Sequence, residues 1–308
     1  MRRVSLSVGQ SGAKHMEQHI VSAVLLRRWA ASGKLSAFDL QHRVTRLRSP
    51  RSEGFVDNYT RHDAEGHEAR WAYIENKVPY VFDLLDSGRL HDDPRAVERL
   101  KDFLALHVAR SLTTKQVYDD AFAMRMMDLE ATSEILNQDE LLDEYSHDRT
   151  GLYPAGPQGR AGARSAYIAE ITQRVGPGSA LFGEILVDHY TRFRSNLSHM
   201  GLEISVASAG EFLIGDDPVQ TVDTRQKRVG IRSGVTIPDA DTIVLPLGPR
   251  HAVAINSQDS VRSLPASAVE TLNRIQVITA QMKVYFRPGA GLESFIETEL
   301  DRAALPCG

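Results

Sequence analysis

The spacing of apolar and polar residues divides the chain into a helical first part and a β-rich second part. Up to about residue 200, apolar residues recur with a period near 3.6, which predicts amphipathic helices. After Gly201 the period changes to 2, in short apolar runs separated by Gly, Pro and Asp, which predicts strands. Helices followed by clustered strands are typical of the α+β class. We therefore expect a helical N-terminal body and a small antiparallel sheet closed by C-terminal helices.

Turn and cap residues set the limits of the predicted elements. Ser32-Gly33 ends a helix predicted over 15–31, Pro79 predicts a kink or break in a helix over 65–85, and Asp93-Pro94 begins a long helix. The segment 148–162 holds two prolines and four glycines and predicts a linker or an internal lid. The remaining predictions are strands at 35–41, 43–47 and 283–286, a loop at 49–62, and helices at 129–145, 163–175, 178–200, 265–282 and 291–303.

The predicted organisation is a flexible leader over residues 1–14 followed by one compact α+β domain over 15–308. Within that domain we expect a helical part at 15–200, a β-rich part at 201–256 and C-terminal helices at 257–308. The signals for a linker are too weak to divide the chain into two independent domains.

Composition changes this picture little. The 308 residues are 42% hydrophobic and 25% charged, which is typical of a folded globular protein and excludes a disordered or collagen-like chain. No apolar run reaches the roughly 18 to 20 residues that span a bilayer, and the N-terminus lacks the apolar stretch of a signal peptide. The single cysteine, Cys307, cannot form an internal disulfide. These features predict a cytoplasmic protein without a membrane partner.

Charge is unevenly distributed along the chain. Residues 1–62 carry 11 basic and 4 acidic side chains, whereas residues 63–150 carry 10 basic and 20 acidic ones. The basic segment includes Arg43, Arg46, Arg48 and Arg51, which could meet a phosphate-bearing partner. The alternative, which is the commoner outcome for such segments, is that they pair with the acidic helices of the same molecule or are solvated.

Candidate chemistry begins with two features of the helical part, a histidine pair and a carboxylate. His15 and His19 are four residues apart, so on a helix they would face the same way and could hold a metal ion with a third ligand. Glu75 lies on the apolar side of its predicted helix, and a buried carboxylate is costly unless it is paired or bound to a metal. It is therefore either a ligand or general base, or one half of an ion pair.

Two polar residues on the long helix extend this set. His107 and Arg110 lie one turn apart among apolar neighbours. The planar guanidinium of Arg110 could clamp a carboxylate or phosphate, or it could form a structural bridge with Glu75 or another acidic residue.

The chain after residue 200 adds three features. Asp216 and Asp217 follow an apolar strand and precede Pro218, which is typical of a catalytic or metal position but also of a turn. Pro246 and Gly248-Pro249 break a later strand, and such kinks often line a pocket. Asn273 and Arg274 interrupt an apolar helix face, where polar groups need partners.

Six short segments occur in order along residues 19–287, and in that order they resemble the bacterial family known as domain of unknown function 4238. The resemblance implies a shared site made from His19, Glu75, Arg110, Asp216 and Asn273, but no reaction. The segments are His19–Trp29, Ile74-Glu75, Phe103–Arg110, Phe212–Val219, Pro246–Pro249, and Asn273 with Val284-Tyr285.

This chain departs from the family pattern at four positions. Ser22 stands where the family has Pro, His107 where it has Gln, and Gly215 and Gly248 where it has Ser. The absence of the serine at position 215 argues against catalysis by a nucleophilic serine in that turn.

The leading hypothesis is a metal-assisted hydrolase acting on a phosphodiester or a related phosphate ester. Glu75 and Asp216 would hold a divalent metal ion, with His19 as third ligand or general base, and Arg110 would stabilise negative charge. His107, Asp217, Asn273 and Arg274 would contact the substrate, whether a small molecule or a nucleic acid. The alternatives are a binding or regulatory protein with a buried polar network, and a metal-free enzyme acting on a small carboxylate-bearing molecule. The sequence predicts no oligomeric state.

Overall fold

The computed structural model describes residues 17–304, apart from 58, 61–66, 136–138, 227, 231–232, 234 and 236. It confirms an α+β protein. The helices are α1 (Ala23–Leu26), α2 (His67–Glu75), α3 (Val78–Asp86), α4 (Pro94–Ala109), α5 (Leu112–Ile135), α6 (Asp139–Thr150), α7 (Gly156–Val175), α8 (Ala180–Leu197), α9 (Ala266–Thr279) and α10 (Glu293–Ala304). The strands are β1 (Glu17–His19), β2 (Leu35–Asp39), β3 (Val44–Arg48), β4 (Phe55–Asp57), β5 (Gly201–Ala207), β6 (Ile214–Gly215), β7 (Gln220–Asp223), β8 (Arg228–Val229), β9 (Thr242–Gly248), β10 (His251–Asn256), β11 (Ser260–Leu264) and β12 (Lys283–Phe286).

Helix α4 is the centre of the helical body. The Asp93 side chain accepts a hydrogen bond from the backbone N–H of Arg95, and Pro94 occupies the first turn, so the helix begins where the sequence predicts. Its residues from Phe103 to Ala109 are all buried, and it packs against α3 and α8. The break expected near Pro79 is also present, because α2 ends at Glu75 and α3 begins at Val78.

The largest sheet has the strand order β11-β5-β10-β9-β7-β8. Neighbouring strands are antiparallel except β11, which runs parallel to β5. One face of this sheet joins the main core through Leu202, Ile204, Leu245 and Val253, which are buried in one cluster with residues of α3 and α4. The helical and β-rich parts therefore share a hydrophobic core.

A second sheet joins the strands predicted at 35–41, 43–47 and 283–286, whose common assembly the sequence did not predict. Its order is β3-β2-β12-β6, so the C-terminal strand β12 lies between the N-terminal strand β2 and the short strand β6. Strands β1 and β4 form a separate pair. The antiparallel sheet expected at 201–256 is thus only part of the β structure, because pairing over such sequence distances leaves no local pattern.

The helix predicted over 15–31 is wrong in its first part. His19 lies in strand β1, and Ile20 and Val21 donate backbone hydrogen bonds to the carbonyl of Gly54. Only Ala23–Leu26 is helical, followed by a 3-10 turn at Arg27–Trp29. Because His19 is in a strand, the one-turn helical spacing proposed for His15 and His19 does not hold; His15 itself lies outside the described residues, as does the predicted leader 1–14.

The predicted linker at 148–162 is largely helical. Helix α6 continues to Thr150, and α7 begins at Gly156 with Pro157 in its first turn. Only 151–155 are outside helices, because the later glycines of the segment are accommodated within α7. Gly176-Pro177-Gly178 separates α7 from α8, as predicted. No helix of the described ranges combines the length and apolar character needed to cross a bilayer.

Three arginines of the basic segment form ion pairs within the molecule. Arg43 lies 2.6 Å from Asp301 of α10, and Arg48 lies 3.6 Å from the buried Glu53. Arg28 pairs with Asp86 of α3 at 2.5 Å, so one partner belongs to the acidic helices of 63–150, as expected. Intramolecular pairing therefore accounts for part of the basic segment.

Candidate functional site

Three helix ends bring together a cluster of four polar side chains: Ser22, Glu75, His107 and Arg110. Glu75 is the last residue of α2, Arg110 follows α4, and Ser22 precedes α1. We call these four residues the Glu75–Arg110 cluster. Three of its members, Glu75, Arg110 and His107, are predicted site residues, so the structure joins part of the set that the sequence suggested.

Hydrogen bonds within the cluster converge on one oxygen of Glu75. The Ser22 hydroxyl donates to Glu75 Oε1 at 2.6 Å, and Arg110 Nη2 donates to the same oxygen at 2.6 Å. Arg110 Nη2 also donates to the Ser22 hydroxyl at 3.1 Å. The ion pair expected as an alternative for Glu75 and Arg110 is therefore present.

His107 is fully buried and supports the cluster through hydrogen bonds. Its Nδ1–H donates to the carbonyl of Phe103 at 2.9 Å, and its Nε2 accepts the backbone N–H of Ser22 at 3.3 Å. Burial, reinforced by the charge of Arg110, lowers the pKa of His107 from 6.5 to about 4. The imidazole is therefore neutral at pH 7 with both nitrogens engaged, so its role is to position Ser22.

Glu75 and Arg110 keep unused hydrogen-bonding capacity. Glu75 Oε2 accepts no hydrogen bond from the described residues, and the Glu75 side chain is 23% exposed. The Arg110 side chain is only 4% exposed, yet its Nε has no partner among the described residues. A buried guanidinium donor without a partner is costly, so Arg110 Nε is an unsatisfied donor beside the ion pair with Glu75.

Electrostatics keep Glu75 ionised. Burial alone would raise the pKa of Glu75, but the Arg110 guanidinium and the hydrogen bonds from Ser22 and Arg110 outweigh it, so the pKa lies below its ordinary 4.5. At neutral pH the carboxylate can accept a hydrogen bond or bind a cation, but it cannot donate a proton.

Two residues, Thr113 and Tyr59, connect Asp217 to this cluster. The Thr113 hydroxyl, three residues beyond Arg110, donates to Asp217 Oδ2. The buried Tyr59, whose hydroxyl donates to the carbonyl of Ser111, lies close enough to Arg110 and Asp217 for both charges to act on the pKa of its phenol. Asp217 therefore lies close to the cluster, and its contact with a substrate stays a prediction.

Asp216 faces the other way and holds a loop. Its carboxylate accepts backbone hydrogen bonds from Gln281 at 2.8 Å, Met282 at 2.8 Å and Lys283 at 2.9 Å. Burial raises the pKa of Asp216, and these three amides oppose that rise. Because both oxygens are occupied, the structure gives this carboxylate a supporting role between β6 and β12.

Asn273 and Arg274 also lie apart from the Glu75–Arg110 cluster. The Asn273 amide bonds to the backbone of Leu213 and Glu211, at 2.9 Å and 2.8 Å. Arg274 Nε donates to Glu299 of α10 at 2.8 Å. The expectation that these polar groups need partners is met by structural hydrogen bonds.

His19 lies on β1, three residues before Ser22, with its ring 6.1 Å from that of Phe55. Within the described part of the chain, no three His, Cys, Asp or Glu side chains are grouped to hold a metal ion. The structure therefore does not assemble His19, Glu75 and Asp216 as three ligands, and the divalent metal ion stays a prediction. A site with one protein carboxylate, waters and substrate oxygens needs no such group.

Sequence reasoning missed three residues around the site: Ser22 as a hydrogen-bonding partner, Tyr59 and Thr113. The only signal for Ser22 was its departure from the family pattern. That departure is coupled to the one at His107, because the Ser22 N–H donates to His107 Nε2 and a proline at position 22 would have no N–H to donate. Position 215 is also constrained, since a Cβ there would lie 3.0 Å from the carbonyl oxygen of Gln276.

Comparison with known families identifies the chain. The sequence model of a family described as "Protein of unknown function (DUF4238)" matches residues 17–290, so the chain belongs to this family. No curated protein and no solved structure matches it.

Proposed function

We propose that this DUF4238 protein is a hydrolase that cleaves a phosphate ester at the Glu75–Arg110 cluster. The observation that carries the proposal is the one-sided Glu75 carboxylate: Oε1 is held by Ser22 and Arg110, whereas Oε2 is unbonded by the described residues and the side chain is partly exposed. A fixed, ionised carboxylate with one open oxygen is suited to orienting a water molecule.

Arg110 supplies the complementary charge. Its partnerless Nε lies on the same guanidinium that fixes Glu75, so an anionic group bound there would stand beside the open carboxylate oxygen. Negative charge develops on phosphate oxygens during ester cleavage, and a buried guanidinium stabilises it. A carboxylate would fit the same donors, so esters of phosphate and substrates that carry a carboxylate have to be compared.

In the proposed reaction the water oxygen attacks phosphorus, the bond from phosphorus to the leaving alcohol breaks, and the water proton is transferred to the departing alkoxide. Because its pKa is lowered, Glu75 is a weak base, so it orients the water instead of taking its proton. A divalent ion held by Glu75 would acidify that water.

His19 and Asp217 would take supporting roles in this scheme. His19 is half-buried on the strand leading to Ser22 and would act as a proton acceptor. Asp217, positioned by Thr113, would contact substrate groups that donate hydrogen bonds. A cytoplasmic location belongs to the same proposal, as does the assignment to bacteria.

The test is hydrolysis of bis(4-nitrophenyl) phosphate and 4-nitrophenyl phosphate, each with and without Mg²⁺ or Mn²⁺. We expect turnover that falls about 100-fold or more in Glu75→Gln, while the protein stays folded at the assay temperature. The matched control is Glu299→Gln, since Glu299 is also a buried carboxylate paired with arginines, at 2.8 Å and 2.6 Å, but lies on α10. Wild-type activity in Glu75→Gln, or no hydrolysis of either ester, would overturn the proposal.

One alternative function rests on its own observation. Asp216 and Asn273 are satisfied entirely by backbone groups, which is what a purely structural polar network in a binding or regulatory protein would show. That function predicts a sharp fall in melting temperature for Glu75→Ala or Arg110→Ala and no turnover of any ester. Metal-independent cleavage of mono(4-nitrophenyl) succinate would instead identify an enzyme for carboxylate-bearing molecules.

A further inference from the structure

Strand β9 runs through Pro246 and ends at Gly248, so the break predicted at Pro246 is absent, and the end of the strand leads to a second group of polar residues. Strands β9 and β10 form an antiparallel hairpin whose register shifts between His251 and Ala252. Such a bulge re-aims the side chains beside it and is frequent next to binding sites. The extra residue is Leu247 of β9, and His251 lies directly beside this bulge while keeping its regular pairing with Val206 of β5.

Gly248 lets an arginine approach the same hairpin. A Cβ at position 248 would lie 3.0 Å from Arg28 Nε, and that nitrogen donates to the carbonyl of Leu247 at 2.9 Å. The same guanidinium donates two hydrogen bonds, of 2.5 Å and 2.6 Å, to Asp86, the last residue of α3. It also stacks 4.7 Å from the centre of the Phe82 ring. Asp86 is thus fixed by a bidentate contact.

Asp86 in turn faces His251. Asp86 Oδ1 lies 3.5 Å from His251 Nδ1, and the His251 side chain is 14% exposed. Burial lowers the pKa of His251, so the imidazole is neutral at pH 7. The carboxylate places the imidazole proton on Nδ1, which leaves Nε2 as a hydrogen-bond acceptor.

His251 lines a cavity of about 350 Å³. This cavity is smaller than another one on the same sheet, which has a volume of about 450 Å³. We call this smaller cavity the His251 cleft. Its size falls within the range of small-molecule sites, and its walls are mostly apolar. Its lining includes Leu85, Asp86, Leu90, Ile204, Val206 and His251.

We propose that the His251 cleft is a second small-molecule site, which binds a compact apolar compound carrying a hydroxyl group. The hydroxyl donates to His251 Nε2, the imidazole is oriented by Asp86, and the apolar walls enclose the rest of the compound. Phenol-type molecules have this chemistry. The site is separate from the Glu75–Arg110 cluster and does not depend on the function proposed for it.

The experiment compares 4-nitrophenol with 4-nitrotoluene, two probes of similar size that differ in the hydroxyl group. Binding is measured by calorimetry on the full chain. We expect wild-type protein to bind 4-nitrophenol about tenfold more tightly, which corresponds to one net hydrogen bond. In His251→Leu, which keeps an apolar side chain of similar size, this preference should disappear while 4-nitrotoluene binding stays unchanged.

Glu75→Gln is the control that separates the two sites, because it should bind both probes as the wild type does. Equal affinity of wild-type protein for the two probes would overturn the proposal, and so would an unchanged preference in His251→Leu. If His251→Leu does not fold, the comparison of probes on wild-type protein decides alone. Loss of the preference in Glu75→Gln would place the hydroxyl at the other cluster and would also overturn the assignment.

Discussion

Glu75 and Asp216 are two buried carboxylates that end apolar segments, yet their surroundings differ. Both oxygens of Asp216 are occupied by backbone amides of one loop, whereas Glu75 is held at one oxygen only, by Ser22 and Arg110. Their pKa values move in opposite directions, upward for Asp216 through burial and downward for Glu75, where Arg110 outweighs burial. A saturated carboxylate stabilises the fold, and a half-saturated one is available for a ligand.

Replacing Asp216 should have the largest effect on stability. Asp216→Ala removes a buried carboxylate that accepts three backbone hydrogen bonds, so we expect the free energy of unfolding to fall by about 4 kcal/mol. Urea denaturation measures this loss. A change below about 1 kcal/mol would show that Asp216 does not hold the loop and would remove the contrast with Glu75.

His107 should dominate the loss of stability in acid. Its pKa is about 4 in the folded protein and near 6.5 when unfolded, so the unfolded chain binds a proton that the folded one resists. Stability should therefore be greatest above pH 6.5 and decrease by about 3 kcal/mol as the pH falls to 4. His107→Gln, which keeps an acceptor for the Ser22 N–H, should remove this part of the pH dependence in urea titrations at several pH values. An identical acid profile would contradict a buried neutral His107.

Glu75→Ala should cost less stability than Asp216→Ala, about 2 kcal/mol, because Glu75 is partly exposed and water can reach Arg110. The lowered pKa sets the direction of the pH dependence of stability. The contribution of the Glu75 carboxylate is complete above about pH 4.5 and is lost as the pH falls through its folded-state pKa. The difference between wild type and Glu75→Gln should therefore shrink in acid. A larger loss than for Asp216→Ala would favour the structural role for both carboxylates.

Ser22→Ala should have the smallest effect on stability, about 1 kcal/mol, since Arg110 still binds Glu75 Oε1. If hydrolysis is detected, kcat should decrease more than KM changes, because the orientation of the carboxylate is what the hydroxyl provides. Steady-state kinetics of Ser22→Ala and Ser22→Thr separate these parameters. Equal activity in both variants would assign the positioning to Arg110 alone.

Local signals in the sequence predicted much of the fold. The cap at Asp93-Pro94, the break at Pro79 and the turn at Gly176–Gly178 are decided by residues next to them, so their positions were predictable. The first helix was not, because an apolar pattern such as that near Ile20 also fits a strand, and here the chain pairs with β4 and with the carbonyl of Gly54 just before it.

The site was predictable in its members but not in its grouping. The sequence indicated Glu75 and Arg110 by their polar character on apolar helix faces, and it left open whether they pair. It could not separate Asp216 from Asp217, since neighbouring side chains on an extended segment point in opposite directions. Only long-range packing shows that one meets the loop before β12 and the other meets Thr113.

Strand β12 occupies an interior place between β2 and β6. The β2–β3 hairpin is synthesised early, but the strand that pairs with its open edge emerges only after most of the chain. At about 5–20 residues per second, the nascent hairpin waits on the order of tens of seconds with that edge uncovered. Completion of this sheet is therefore a late event in biogenesis, because β12 begins only at Lys283.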